Sequence, residues 1–463
     1  MPVSVRLLVA AGLLLFAAGT TEADPARDTW RVTFETRWLG PVEANIEIVH
    51  DAERLRGRSL SGAVDLLREL PGDQELDDGL MAFEALATDT GEYDGSFAAP
   101  WHEGRLHLTI DGHTLQGTVE GSAFAGKLTG VRTATPARIR DYPEILDALD
   151  RVVAAKLFAP DDLEEPAYRK FRHTLGRIAA AANDDLDLLL GFRWAWSNDP
   201  FSHFELKRSQ RNAEALFAFF DDYRVGFEAA TVEFEGRAAI LKVRTMMGAD
   251  TIEQIEAAYD RIADQNPRSL IIDLRGNGGG AFAVKPLVEH VIDEPLDAGY
   301  FLSQVWNREH DSAPTTAEVL EAAPWAGWSI VSFWKSVQER GILRIRFEPA
   351  EPNFDGPVYV LIDSESASAT ELAADALRSS GKAVLIGERS AGQMLSQSMF
   401  DVADGFIVSL PVADYRSMTH GRIEGHGVDV DVPAASEDAL DVAKPLAEVA
   451  ASSADVDTVS PGL

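Results

Sequence analysis

A serine becomes a nucleophile when a neighbour takes its proton and nearby N–H groups hold the negative charge that then forms on its target. The stretch Ser364–Glu371, of sequence SESASATE, joins an apolar strand to a helix. A serine placed there meets free N–H groups at the positive end of the helix, where an oxyanion is stabilised. An ordinary helix cap uses serine in the same position, and taken alone the stretch fits that role equally. A second stretch, the glycine-rich Gly276–Gly280, follows another buried strand. Its bare backbone can approach a carbonyl closely and supply a further oxyanion donor.

Other chemistries find less support. Ser379-Ser-Gly-Lys382 has the serine–lysine spacing of penicillin-binding enzymes, but falls at the end of a helix rather than its start. Gly276–Ala281 fits a loose dinucleotide fingerprint, with nothing else of that motif around it. No G-x-S-x-G elbow occurs, and His420, Glu424 and His426 lack the helical spacing of a zinc site. No cofactor and no metal are expected. The chain has 75 acidic and 42 basic side chains, a formal net charge of −33, and no cysteine. That balance argues against nucleic-acid partners and anionic lipid. The lack of cysteine removes thiol nucleophiles, thiolate metal sites and disulfides.

The elements that must hold these segments follow from the periodicity. At the start, Arg6, the apolar run Leu7–Ala18 and small residues before Asp24-Pro25 describe a signal peptide over residues 1–23. The mature protein is then expected in the periplasm or medium, with no membrane span. Residues 24–135 alternate apolar and polar positions between turn signals such as Asp111-Gly112, and predict a small antiparallel β domain. Residues 136–205 take helical spacing, with helices over Pro143–Ala155 and Glu165–Leu190. From 206 to 450 strands and helices alternate as in an α/β core, and residues 451–463 read as a flexible tail. Within the core, 300–350 holds Trp306, Trp325, Trp328 and Trp334, suited either to a substrate groove or, as is commoner for tryptophan, to buried packing.

Four stretches in order resemble the C-terminal-processing and tricorn-core family of serine peptidases: Leu270–Gly280, Ser366–Glu371, Gly387–Gly392 and Gly425–Asp431. The resemblance covers about 225–432 and implies a crotonase/ClpP-like α/β core, as in tail-specific protease cores, acting on a peptide or protein substrate. It places the nucleophile at Ser368 and the oxyanion hole at Ala369 with Gly278 or Gly279. C-terminal-processing members carry a lysine base directly after the glycine closing the third stretch. Here Gln393 follows Gly392, and an amide accepts no proton near neutral pH. Arg389 cannot serve either, because a guanidinium does not deprotonate. The tricorn branch uses a Ser-His-Ser-Glu tetrad instead. Its counterparts here are Ser202 and His203 just before the core and Glu424 before the last stretch, with His426 as the reserve base. Histidine suits the role because its ordinary pKa lies near working pH. Between Leu206 and Gly226 there is no room for a PDZ domain. Two functions follow: an exported peptidase, or a non-catalytic ligand- or peptide-binding protein on the same core.

Overall fold

The computed structural model describes residues 26–36, 40–50, 53–70, 80–99, 102–121 and 124–457. The expected signal peptide lies outside them. Among the described residues, no helix is long and apolar enough to cross a membrane.

Eight antiparallel strands between Ala26 and Thr133 close into a barrel, the first strand (Ala26–Thr36) pairing with both the second (Gly40–His50) and the last (Phe124–Thr133). Alternation puts Trp30, Val32, Phe34, Ile46, Leu106 and Leu115 inside. The packing is tight where glycine allows it: a Cβ on Gly57 would stand 2.0 Å from the Phe83 ring. The cavity inside the barrel beside Val32, Phe34 and Leu106 is about 20 Å³, the size of a water rather than of a ligand. At the Asp111-Gly112 turn, Asp111 pairs with Thr114 and Gly112 takes the positive φ of 55°.

Three helices follow, Tyr142–Lys156, Pro166–Ala181 and Asp185–Ala195. The single run expected over Glu165–Leu190 is two helices. Asp184 accepts the N–H of Asp187 and caps a new start, which ends the preceding helix. These helices fuse the barrel to the core. Barrel residues Ile46 and Leu55, helix residues Leu175 and Leu188, and core residues Leu206, Phe406 and Val408 belong to one apolar cluster. A buried charge locks the same junction: Asp185 accepts from Arg140 Nε at 2.9 Å and Tyr142 OH at 3.1 Å, and lies 3.2 Å from Arg208 Nε.

The core has two sheets. The first runs Ala230–Glu235, Ala238–Val243, Ser269–Asp273, Val358–Ile362, Ala383–Gly387, Val432–Pro433, parallel from the second strand onward. The second has the order Ile342–Phe347, Leu296–Ser303, Phe406–Ser417, Leu395–Asp401, and the short strands Glu205–Arg208 and Gly421–Arg422 join it on Phe406–Ser417. Helices Ala249–Gln265 and Ala369–Ser379 contribute to the apolar core between the sheets. Helix Ala439–Asp457 packs Ala439, Ala443 and Ala447 on the other face, against Ile271, Tyr359 and Leu361. Residues 451–457, expected as flexible tail, continue that helix, since lengthening an existing helix costs less than starting one. Residues 458–463 lie outside the described part.

Asp185→Asn should lower the unfolding free energy by about 3 kcal/mol in chemical denaturation, since it takes the shared counter-charge from two half-buried guanidinium groups, of which only Arg140 keeps another ion-pair partner, Glu43. Asp65→Ala, which removes an exposed pair with Arg68, should cost under about 1 kcal/mol.

Candidate active site

Strands Ser269–Asp273 and Val358–Ile362 lie side by side and parallel, so their carboxyl ends deliver the glycine stretch and the serine stretch to one place. The two are stitched together. Ala367 N–H donates to the Asn277 carbonyl at 3.1 Å, and Ser366 Oγ donates to the Leu274 carbonyl at 3.0 Å. Ser368 then sits immediately before helix Ala369–Ser379 with φ of 58° and ψ of −121°. A side chain held in this left-handed region is strained, and such strain gathers where a reactive group must be presented.

Ser368 and His203 line the same cavity, of about 220 Å³. His203 also has a positive φ, 60°. Its loop is fixed from both sides by aromatic packing. Phe201 and Phe204 flank the Ser202-His203 pair, and their rings lie 4.9 and 5.0 Å from that of Trp196, with Phe204 4.8 Å from Phe192. Ser202 Oγ is 2.6 Å from His203 Nδ1 and donates to Glu424 Oε2 at 3.1 Å. A hydroxyl has one proton. With that proton on Glu424, His203 must carry its own on Nδ1 and donate it to Ser202, which leaves Nε2 as the basic nitrogen. The Glu424 carboxylate also accepts the N–H of Ser202 at 2.8 Å and of Met394 at 2.6 Å.

Burial sets the electrostatics. Desolvation lowers the His203 pKa to about 4, well under the ordinary histidine value. Burial raises that of Glu424, against the pull of its hydrogen bonds from Ser202 and Met394.

The oxyanion residues fall unequally. Ala369 lines the cavity, and as the first residue of its helix it has an N–H that no helical bond uses. Gly279 lies against Ser368: a Cβ there would be 2.5 Å from the Ala367 carbonyl and 2.8 Å from Ser368 Cβ, at φ of 92°. Its N–H, however, is given to Asn277 Oδ1 at 2.9 Å. Gly280 is the glycine of the stretch that lines the cavity; Gly278 and Gly279 do not. His426, the reserve base, faces a separate pocket with His420 and Arg389. Lys382 pairs with Asp293, and Arg389 with Asp429. His420 bonds Asp375 at 2.7 Å while Glu424 bonds Ser202, so these do not form one ligand set. Of the four tryptophans, Trp325 and Trp334 line the cavity, Trp328 is exposed, and Trp306 stacks on His310.

Residues 237–434 match the model of peptidase family S41. They form a peptidase family S41 domain. The carboxyl-terminal-processing protease of Picosynechococcus sp. is 26% identical over 183 residues, which is 40% of this chain and 36% of that protein. That of Synechocystis sp. is 25% identical over 228 residues, 49% of this chain and 43% of that protein. The chain therefore spans less than half the length of either relative. Among solved structures, the photosystem II D1 C-terminal processing protease aligns over 68% of this chain and 98% of its own, with 16% identity and a TM-score of 0.40.

One residue of the S41 domain escaped the sequence reading. Glu371 is fully buried and accepts four hydrogen bonds: from the N–H of Ser368 (2.9 Å), Gly392 (2.7 Å) and Gln393 (2.9 Å) and from Ser390 Oγ (2.6 Å). The available signal was the S-x-x-E spacing from Ser368 to Glu371, half of a capping box. Through Glu371 the Gln393 position contributes its backbone, and its side chain does not line the cavity.

A base must be neutral to take a proton, so activity should rise with pH through the His203 pKa. With that value near 4, the acid limb of kcat/KM should lie below pH 6; a limb at 6–7 would show His203 to be solvated or not the base. Between about pH 6.5 and 4 the unfolded chain binds a proton at His203 that the folded one refuses, so stability should fall as pH drops through that window. Gly279→Ala should cut turnover at least about a hundredfold, because its Cβ must displace the Ala367 carbonyl and the Ser368 side chain.

Proposed function

We propose that the chain is an exported serine peptidase that cleaves peptide bonds through an acyl-enzyme on Ser368. The observation that carries this reading is the hydrogen-bonded run Glu424–Ser202–His203 reaching the cavity on which Ser368 lies. His203 Nε2 takes the proton of Ser368 Oγ as that oxygen bonds to the substrate carbonyl carbon. The oxyanion formed is held by the N–H of Ala369 and by the glycine stretch, with Gly280 nearest the cavity. The C–N bond then breaks, and His203 returns the proton to the leaving amine. Water, deprotonated by His203, releases the acid product and restores Ser368. Glu424 and Ser202 keep the ring in the tautomer this needs. Support for peptide chemistry comes from the S41 domain and from relatives named as carboxyl-terminal-processing proteases. Export rests on Arg6 and the run Leu7–Ala18, and the crotonase/ClpP-like description of the core on the order of its motifs.

A second reading, a binding protein without catalysis, draws on the aromatic cavity wall at Trp325, Phe333 and Trp334. A fluorophosphonate probe separates the two. It should label wild type at Ser368, fail on Ser368→Ala, and react far more slowly with His203→Ala. On a cleaved peptide, Ser368→Ala and His203→Ala should each lower kcat by about three orders of magnitude or more. Glu424→Gln should cost about ten- to a thousandfold, and Gln393→Ala far less. Near-normal turnover in His203→Ala would refute the base assignment, and an unlabelled wild type would favour the binding protein.

A further inference from the structure

The cavity shared by Ser368 and His203 runs against the charge of the molecule. The chain carries 75 acidic side chains against 42 basic ones. Yet the formally charged residues lining this cavity, among those described, are Lys207, Lys285 and Arg346, and none is a carboxylate. Two of them already have counter-ions. Lys207 Nζ lies 2.7 Å from Glu205, and Arg346 lies 2.8 Å from Glu348 and 3.2 Å from Asp297. Lys285 has no ion pair within 4 Å among the described residues, although Glu289, one turn on in its helix and bonded to the Glu348 N–H, feels its charge. Its Nζ is 3.4 Å from the Gly327 carbonyl and 4.3 Å from the centre of the Trp328 ring. A half-buried ammonium against a carbonyl and an aromatic face still has donor capacity to give, and an anion is its natural complement.

The same wall is otherwise apolar. Trp325 and Phe333 meet edge to face at 5.5 Å, Phe282 meets Phe333 at 5.7 Å, and about 220 Å³ is open beside them, room for one large side chain. Phe282 and Lys285 follow closely on Gly280, so one ring of the wall and the cation are set by the same short piece of chain as the glycine stretch.

On the reading of Ser368 as nucleophile, we propose that this cavity selects peptides with a bulky apolar residue on the acyl side of the scissile bond and a carboxylate that pairs with Lys285. The carboxylate is the peptide's own C-terminus or an acidic side chain; the two present the same anion.

The test uses the full chain and a set of peptides differing at two places. One pair carries a free-acid or amidated C-terminus; a second, amidated pair carries Glu or Gln near the cleaved bond; each is made with Phe or Ala on the acyl side. Hydrolysis gives kcat/KM, and binding to Ser368→Ala is read from tryptophan fluorescence, since Trp325 and Trp334 line the cavity. The anionic member of at least one pair should be preferred about tenfold or more, and Phe should be preferred to Ala. Lys285→Met should bring the anionic preference to about one, Lys285→Glu should invert it, and Lys285→Arg should retain it. A preference confined to the free acid assigns the chain end, and one confined to Glu assigns the side chain. Equal use of both members of both pairs by wild type, or a preference that survives Lys285→Met, overturns the assignment of Lys285; a preference for Ala overturns the apolar site. If no fluorophosphonate labelling occurs, the catalytic reading fails, while the binding ratios still decide the pocket.

Discussion

Three consecutive backbone N–H groups, those of Gly392, Gln393 and Met394, are divided between two buried carboxylates, and the geometry of the site depends on that division. Glu371 takes the first two and Glu424 the third. Glu371 belongs to the helix that begins after Ser368 and also holds the Ser368 N–H. Glu424 holds both the N–H and the hydroxyl of Ser202, and through it the ring of His203. Ser368 and His203 are thus referred to one short segment of chain. A buried carboxylate without donors is costly, so each acid fixes its surroundings by requiring these partners to be present together.

The closing loop is tied into the same segment. Gly425 N–H donates to the Gly392 carbonyl at 2.8 Å, Val428 N–H to Ser390 Oγ at 2.6 Å, and Ser390 Oγ to Glu371. A Cβ at Gly392 would come within 2.9 Å of the Gly427 nitrogen, so the two loops pass at backbone distance. This arrangement accounts for glutamine at position 393 where the C-terminal-processing pattern has lysine. The fold uses the main-chain N–H there, which any residue except proline supplies, and in the proposed mechanism the proton goes to an imidazole on another loop.

That other loop is only as well placed as the barrel and helices that carry it. Phe201 and Phe204 sink into the aromatic cluster of helices Pro166–Ala181 and Asp185–Ala195, and Asp185 ties those helices to the barrel through the Glu43 N–H and the Arg140–Glu43 pair, and to the core through Arg208. The N-terminal region therefore bears on the site by holding the imidazole, while its own filled interior leaves little room for a ligand. The charge reversal in the cavity has the same origin: acids that line much of the surface are replaced beside Ser368 by aromatic rings and three cations.

Local chemistry made much of this legible in the sequence. Period-two alternation marked the barrel strands, apolar runs ending in glycine or serine marked the two site-bearing strands, and the absence of lysine at 393 directed attention to Ser202-His203. What lay beyond reach depended on contacts between residues far apart in the chain. Glu424 and Ser202, 222 positions apart, were joined only by the family resemblance, since neither segment by itself states that they meet. The break at Asn183-Asp184 turned on capping rather than on periodicity. The N–H of Gly279 was spent on Asn277, a loop-internal bond that glycine spacing does not reveal. Most of all, the low pKa of His203 comes from burial, a property of the packed molecule. Residue type fixed which groups could react; only tertiary packing decided which were brought together, and in what protonation state.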